Sequence, residues 1–186
     1  MKKILQKEER GLRLNAKEIP VHEILTPKIQ KILKEMSMSL VNEHDGVAIA
    51  APQIGYSLRI FVVSGKIFDK DFMEEKKNGT PPPNLPLTKD EEKTYKDIVF
   101  INPVISKLSR KKEWMPEGCL SVRPIYGKTY RSEKATVEAY NENGRHFKMG
   151  GVGLLAQIFQ HETDHLNGIL FIDHAKELRE ELLPES

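Results

Sequence analysis

The stretch Gln160-His161-Glu162-Thr163-Asp164-His165 sets the centre of this fold, because it places two histidines four residues apart around a glutamate. On a helix, side chains four residues apart lie on one face, so His161 and His165 can bind one metal ion together. Glu162 projects about 100° around the helix from His161, close to the open coordination position of such an ion. This arrangement suits a water molecule that binds the ion and gives its proton to Glu162. The stretch therefore predicts a helix that bears a metal.

Glycines and short apolar runs predict the elements on either side of this stretch. Gly150-Gly151 leads into a helix predicted over residues 152–166, and Gly168 fits its C-terminal cap. Residues 169–172 predict a short strand, and residues 175–183 predict a short terminal helix. The central helix is therefore expected to lie between strands.

Upstream of this helix, turn residues and apolar runs predict several strands. Asn143-Gly144 is typical of a hairpin turn, which here would join strands at 135–140 and 145–149. Buried strands are also predicted at 59–63 and 98–101, and Asn102-Pro103 is expected to end the second of them. The chain thus has enough strand signals for a sheet.

A first helix is predicted near the N-terminus, with Thr26 as its N-cap and Pro27 at its first position. Apolar residues then recur at helical spacing: Ile29, Ile32, Leu33, Met36, Leu40 and Val41. Asp45-Gly46 is expected to end this helix. The small, apolar segment 47–55 that follows suits backbone that runs close to another group.

Length and segment order predict the domain organisation. The 186 residues, 39% of them hydrophobic, suffice for one buried core and are too few for two full domains. Residues 64–97 differ from the rest, since prolines lie there among charged residues, and they predict an inserted surface loop. We therefore expect one catalytic domain over residues 1–186. Its predicted fold class is α+β, with antiparallel or mixed sheets packed around the central helix.

Charge and cysteine content exclude several classes of protein. The net charge of +2 is nearly balanced, and lysines alternate with glutamates, so we expect no direct nucleic-acid binding and no membrane partner. Residues 1–8 are charged and lack the apolar core of a signal peptide, and no apolar run approaches a membrane span. The single cysteine excludes an internal disulfide. These features predict a soluble protein of a reducing cytoplasm.

Two histidines leave a tetrahedral metal site in need of one more protein ligand. Cys119 is the only thiol, and it lies in the glycine-flanked segment Glu117-Gly118-Cys119-Leu120-Ser121. A lone cysteine is often simply a small buried residue. Beside the histidine pair, however, a Cys-His-His set that leaves one position for water becomes the better interpretation. The predicted metal ligands are therefore Cys119, His161 and His165.

Three segments of the chain together resemble the peptide deformylase family. Residues 46–53 (Gly-Val-Ala-Ile-Ala-Ala-Pro-Gln) are similar to the family's first motif, residues 117–121 to its second and residues 160–165 to its third. They occur in the family's order, and the resemblance covers nearly the whole chain outside the insertion. Ala48 stands where the family usually has a second glycine, and Arg123 stands where a proline is common. An extended backbone would tolerate the methyl group of Ala48, whereas a positive φ there would cost about 1 kcal/mol.

This resemblance implies an activity and a set of site residues. The activity is removal of the formyl group from N-terminal formylmethionine of new bacterial-type proteins, with Glu162 transferring the proton. The Gln53 amide and the Leu120 backbone N–H are implied as donors to the oxyanion. Leu154 and Ile158 lie on the helix face of the ligands, where they would line an apolar pocket opposite Val47 or simply pack in the core. The expected substrate-binding residues are Gly46, Val47, Ala48, Gly118, Tyr126, Leu154 and Ile158.

Cofactor and partner expectations follow from the same resemblance. One divalent ion is expected, with Fe²⁺ as the native metal and Zn²⁺ or Ni²⁺ as ions found after purification, because a thiolate suits each of them. The expected partners are N-formylmethionyl nascent peptides, together with a transient contact of the terminal helix with the ribosome. Metal-binding histidines usually have an orienting partner, and Arg131 with Asp164 is the candidate pair.

Two alternatives remain at this point. A His-Glu-x-x-His motif is shared with zinc proteases, but Cys119 in place of a third histidine or glutamate, together with Gln53, argues against a metalloprotease. The second alternative is a catalytically impaired deformylase-like protein that only binds peptides, with its groove altered at Ala48. The intact ligand set and Glu162 argue against it. Turnover of formylated and unformylated peptides separates these alternatives.

Overall fold

A computed structural model describes residues 2–43, 45–69 and 96–181. In chain order its helices and strands are α1 (Pro27–Val41), β1 (Ala48–Ala50), β2 (Ile60–Val63), β3 (Ile98–Leu108), β4 (Lys112–Gly118), β5 (Ile125–Ser132), β6 (Lys134–Tyr140), β7 (His146–Val152), α2 (Leu154–Leu166) and β8 (Lys176–Glu180). One sheet has the order β1-β2-β3-β6-β7, a second has the order β4-β5-β8, and the paired strands are antiparallel. The predicted α+β fold class is confirmed.

The five-stranded sheet is covered by a helix on each face, which explains why β2 is apolar at every position. Ile60 and Val62 belong to the cluster that includes the buried side of α1. Phe61 and Val63 belong to the cluster that includes the buried side of α2. Successive side chains of β2 lie on opposite faces of the sheet, so each helix packs against apolar side chains of the same short strand.

Local signals set the ends of both helices. The Thr26 side chain accepts a hydrogen bond from the Ile29 N–H at 3.5 Å, and Pro27 is the first residue of α1, as predicted. Helix α2 begins at Leu154 rather than at residue 152, because β7 continues through Val152 beside β6. Gly168 has φ +71°, and a Cβ there would lie 2.6 Å from the Arg13 carbonyl oxygen. Glycine therefore permits both the turn after α2 and its close approach to the N-terminal segment.

The predicted hairpin is confirmed, but the predicted end of the strand at residues 98–101 is wrong. β6 and β7 pair along their whole length, and the turn between them includes Gly144 at φ +70°. β3 continues to Leu108 past Asn102, whose φ is +49°, with a shift of register between Ile101 and Val104. Asn102-Pro103 thus forms an irregularity inside one strand.

The two predictions for the C-terminal part are also wrong. Residues 169–172 are not a strand, because Asp173 accepts a hydrogen bond from the Leu170 N–H at 2.9 Å and Phe171–Asp173 form a 3-10 turn. In place of the predicted helix over residues 175–183, Lys176–Glu180 form β8. β8 pairs with β5, so its backbone groups are satisfied by the sheet. A ribosome contact was expected from a terminal helix, but residues 175–181 form no helix.

Most of the predicted insertion at 64–97 lies outside the described residues. Its described beginning belongs to the fold, since Gly65–Phe68 form a 3-10 turn and Ile67 is buried. The Gly65 N–H donates to the Asp97 carboxylate at 3.3 Å, so the two ends of the segment lie side by side. Within the described ranges, no helix is both long and apolar enough to cross a membrane.

Candidate metal centre

Helix α2 and the loop that follows β4 bring three candidate metal ligands, one thiol and two imidazoles, to one point. The Sγ of Cys119 lies 3.2 Å from Nε2 of His165, and the ligand atoms of Cys119, His161 and His165 all lie within 4.8 Å of one another. A tetrahedral ion with bonds of about 2.0–2.3 Å separates its ligand atoms by roughly 3.3–3.8 Å. The three side chains therefore match a single metal ion in size and in chemistry.

Glu117, the residue at the inner end of β4, orients His161. Nδ1 of His161 and Oε1 of Glu117 lie 2.7 Å apart, so Nε2 of the imidazole is left for the metal. Arg131 binds the same carboxylate through two nitrogens, at 2.7 and 3.1 Å, and Asp164 through a third nitrogen at 2.6 Å. The expected Arg131–Asp164 pair is thus present, but the orienting partner of His161 is Glu117, a correction to the sequence-based prediction.

The Glu117 carboxylate is buried and stays charged. Burial raises its pKa, but His161 and Arg131 outweigh that effect and hold the pKa well below its ordinary value. The Thr129 hydroxyl donates to it at 2.5 Å and the Gln157 amide at 3.1 Å. A buried carboxylate with this many donors is a fixed anion, and it balances the positive charge of Arg131 and of a bound metal.

Two buried polar atoms beside the ligands have no hydrogen-bond partner among the described residues: Oε2 of Glu162 and Nδ1 of His165. Burial raises the pKa of Glu162 to about 7, and it lowers the pKa of His165 well below its ordinary value. A neutral imidazole is the form that binds a metal. Since an unpaired buried oxygen is costly, Glu162 is placed to hold a water molecule. The lowered pKa of His165 and the position of Glu162 beside the ligands both fit a metal centre.

Gln53 lies against the same centre from the other side. Its Oε1 accepts a hydrogen bond from the Ala50 N–H at 2.7 Å, and that bond fixes the amide with its donor nitrogen inward. Nε2 of Gln53 lies 3.6 Å from Sγ of Cys119 and 3.1 Å from Oγ of Ser121. The 3-10 turn Ala51–Ile54 that carries Gln53 follows directly on β1. The amide can therefore donate hydrogen bonds beside the ligands.

A pocket opens from the surface to the ligands. Its wall includes every residue expected for substrate binding: Gly46, Val47, Ala48, Gly118, Tyr126, Leu154 and Ile158. Gln53, Leu120 and Glu162 also line it, whereas the buried His165 lies behind the wall. Ile158 is at the same time part of the core, so its two sequence-based interpretations hold together. One face of α2 thus serves both the core and the pocket.

Ala48 causes no backbone strain in this wall. It lies in β1 opposite Val63, and the described non-glycine residues with positive φ are Asn102 and Glu177. An alanine methyl group fits extended backbone without steric cost. Of the two outcomes considered for this position, the structure has the extended one.

Five lining residues were not among the predicted metal, catalytic or substrate-binding residues: Asp45, Pro116, Glu117, Arg123 and Gln157. Gln157 lies four residues before His161 on α2, so the helix-face argument that gave Leu154 and Ile158 could have found it. Glu117 belongs to the second motif, but no local sequence pattern indicates its partners. Those partners come from β5 and α2, which only the fold brings to β4.

A Cys-His-His set beside a buried glutamate defines a class, the metal-dependent hydrolases with one ion. A model of the family described as "Polypeptide deformylase" matches residues 1–181. "Peptide deformylase 2" from Clostridium acetobutylicum is 38% identical over 161 residues, which is 86% of this chain and 87% of that protein. The chain belongs to the peptide deformylase family, whose members are metal-dependent hydrolases that remove formyl from N-terminal methionine.

Solved structures agree with this assignment. A peptide deformylase from Legionella pneumophila has a TM-score of 0.74 and 33% identity, covering 95% of this chain and 87% of its own. A "Met-ala-ser bound" deformylase of class I type b from Acinetobacter baumannii has a TM-score of 0.74 and 28% identity, covering 94% of this chain and 99% of its own. The fold is therefore that of the family along nearly its whole length.

Proposed function

We propose that this chain hydrolyses the formyl group of N-terminal formylmethionine on newly made proteins and releases formate. The observation that carries the proposal is the convergence of Cys119, His161 and His165 beside a buried glutamate at the base of an apolar pocket. The family's activity supports it. The substrate proteins are made in the cytoplasm, so we propose that the chain acts there, as a single catalytic domain.

Cys119, His161 and His165 would hold one divalent ion, which supplies Lewis-acid polarisation of the formyl carbonyl and lowers the pKa of a bound water. Glu117 keeps the imidazole of His161 in the tautomer that leaves Nε2 for the ion. We propose Fe²⁺ as the native ion, with Zn²⁺ or Ni²⁺ as replacements, because a thiolate and two imidazoles suit all three. Metal analysis of protein purified with and without oxygen tests this assignment.

Glu162 is the proton carrier of the proposed reaction. Its carboxylate lies beside the ligands with one oxygen unpaired among the described residues, which leaves that oxygen available to the attacking water. Glu162 takes the proton of that water as the formyl carbon is attacked and gives it to the departing amine of methionine.

Gln53 and Leu120 supply hydrogen-bond donors to the oxygen that gains negative charge. The Gln53 amide is already fixed by the Ala50 N–H, so it loses little freedom when the charge develops. Leu120 follows Cys119 directly, which places its backbone N–H next to a metal ligand. Such prearranged donors stabilise a transition state more than a ground-state carbonyl.

The groove beside the pocket suits an extended peptide. β1 is the terminal strand of the five-stranded sheet in the described part of the chain, and Gly46–Ala48 lead into its outer edge. A peptide can add to that edge through backbone hydrogen bonds that do not depend on its sequence. Val47, Leu154 and Ile158 would surround the methionine side chain, and Gly118 and Tyr126 also line the pocket.

Formate release from formyl-Met-Ala-Ser by protein prepared without oxygen and loaded with Fe²⁺ tests the proposal. We expect metal-dependent release and no cleavage of the unformylated peptide. Cleavage of peptide bonds in unformylated substrates without formate release would instead identify a metalloprotease. A fully metallated protein that binds the peptide but releases no formate would support the peptide-binding alternative.

A further inference from the structure

Arg123 connects the two walls of the groove at its outer end. It lies in the loop between β4 and β5, four residues after the ligand Cys119. Its guanidinium group donates to the Glu43 carboxylate at 2.7 Å and also to the Asp45 carboxylate. Both acids belong to the turn between α1 and β1, directly before the Gly46–Ala48 segment that would hold the peptide.

Both ends of this connection are held in place by other contacts. The Gly46 N–H donates to the Glu43 carbonyl oxygen at 3.1 Å, and a Cβ on Gly46 would lie 2.8 Å from Cβ of Glu43. On the opposite wall, the Val122 N–H donates to the Cys119 carbonyl oxygen at 3.0 Å. The Arg123 side chain is 27% exposed, so it is neither fully buried nor free in solvent.

The charges at this end of the groove are unlike those at the metal. Among the charged pocket-lining residues, Glu117 contacts the ligand His161 and Glu162 follows that ligand on α2, whereas Asp45 and Arg123 bind each other. Glu43 and Asp45 bring two negative charges, and Arg123 brings one positive charge between them. The Lys66 ammonium lies behind this group and donates to the Glu43 backbone at 3.1 Å. Arg123 therefore reduces the negative charge of this wall by one unit.

The residues after formylmethionine would pass these charges. This step rests on the proposed function, in which the methionine side chain lies between Val47 and α2. An extended peptide advances about 3.3 Å per residue, so its next one or two side chains reach the turn of Asp45 if the peptide runs along Gly46–Ala48. Charged groups at such distances near a surface interact measurably but weakly.

We propose that Arg123 is a specificity-determining residue of the deformylase groove. By binding Glu43 and Asp45 it offsets their charge and lets the groove accept acidic residues directly after formylmethionine. Without Arg123 the wall loses one positive charge beside the Glu43 and Asp45 carboxylates, so it repels acidic side chains more strongly and attracts basic ones. Arg123 thus sets the range of proteins on which the chain acts and has no part in the chemical step.

The test compares formyl-Met-Glu-Ser with formyl-Met-Lys-Ser by the ratio of their kcat/KM values. In Arg123→Ala we expect the glutamate peptide to lose about threefold to tenfold relative to the lysine peptide. Arg123→Lys should keep the wild-type ratio, because it keeps the charge. Asp45→Asn should shift the ratio in the opposite direction, and the double variant Arg123→Ala/Asp45→Asn should return it towards wild type. Lys148→Ala, which removes one positive charge outside the lining, is the matched control and should leave the ratio unchanged.

Binding of the product peptides Met-Glu-Ser and Met-Lys-Ser gives the same ratio without turnover. If product binding shows the expected shift of the ratio in Arg123→Ala while the wild type releases no formate, the proposed function is refuted and the role of Arg123 stands. A ratio in Arg123→Ala within twofold of wild type would overturn the inference. An equal loss with both peptides would do so as well, since it would mean that Arg123 only holds the walls together.

Discussion

Glu162 is buried, and its Oε2 has no hydrogen-bond partner in the described part of the chain. Its role can be separated from metal binding. In Glu162→Gln the side chain keeps its size but cannot accept a proton. We expect formate release to fall by about 10²–10⁴-fold, the usual contribution of a general acid–base group. Metal content measured by elemental analysis should stay at one ion per chain. Activity within tenfold of wild type in the metallated variant would refute the assigned role.

Glu117 acts on the metal through His161, so its loss should appear first in metal affinity. In Glu117→Gln the amide cannot replace both the acceptor for His161 and the anion beside Arg131. We expect metal affinity to fall by roughly 10–100-fold, the usual effect of losing a partner of a ligand histidine. Competition with a chelator measures it. Glu113→Gln on the exposed part of β4 is the control, and an equal change there would contradict the prediction.

At the scale of elements, Asn102 shows how one residue ties two segments. Its Oδ1 accepts from the Ile19 N–H at 2.9 Å, and its Nδ2 donates to the Ile19 carbonyl at 2.7 Å. In Asn102→Ala both bonds are lost and alanine must adopt φ +49°. We expect the free energy of unfolding in urea to fall by about 2–4 kcal/mol, from unsatisfied groups and backbone strain.

Two further variants separate the contribution of the Asn102 side-chain hydrogen bonds from that of backbone strain. Asn102→Gly removes the side-chain bonds without the strain, so it should be less destabilising than Asn102→Ala by about 1 kcal/mol. Asn102→Asp keeps the acceptor for the Ile19 N–H but sets a carboxylate oxygen against the Ile19 carbonyl, so it should also be less stable than wild type. Equal unfolding free energies for the wild type and Asn102→Ala would show that the irregularity in β3 does not depend on this side chain.

The sequence predicted the elements whose signals are local, and it failed where a distant partner decides. Thr26-Pro27 and the apolar spacing after it were sufficient for α1, because a cap and one apolar face define a helix. Residues 176–180 are all exposed, so they show no strand pattern of their own. They form β8 because they pair with the edge of β5. Asn102-Pro103 resembled the end of a strand because the contact with Ile19 is not visible in the local sequence.

Prediction of the candidate site also succeeded where the signals are local and failed where the contacts are long-range. Histidine spacing on α2 predicted two ligands, the single thiol predicted Cys119 as the third, and the resemblance to the family's ordered motifs added Gln53. The role of Glu117 depends on Arg131 from β5 and on Gln157 from α2. Arg123 stood out as a departure from the family motif, but its acidic partners lie about 80 residues earlier in the chain. Single sequences identify residues of unusual type, whereas the contacts that give them roles are long-range.

At the scale of the whole molecule, the metal centre joins parts of the fold that otherwise have separate cores. Cys119 belongs to a small cluster with Leu12, Val122, Leu170 and Phe171, beside the three-stranded sheet. Helix α2, which carries both histidines, packs its apolar side on the five-stranded sheet. A metal bound to Cys119 and the two histidines would therefore bond the two sheets together.

Removal of the metal should consequently lower the stability of the entire chain. A ligand that binds only the folded state stabilises it by RT ln(1 + [L]/Kd), which is about 4 kcal/mol at a thousandfold excess over Kd. For a chain of this size we expect the Tm measured by calorimetry to fall by roughly 8–16 °C on chelation. Re-addition of the ion should restore it. Cys119→Ala should unfold near the Tm of the metal-free protein and respond little to chelator. If the Tm of the wild type were unaffected by complete loss of the ion, the centre would not connect the two sheets energetically.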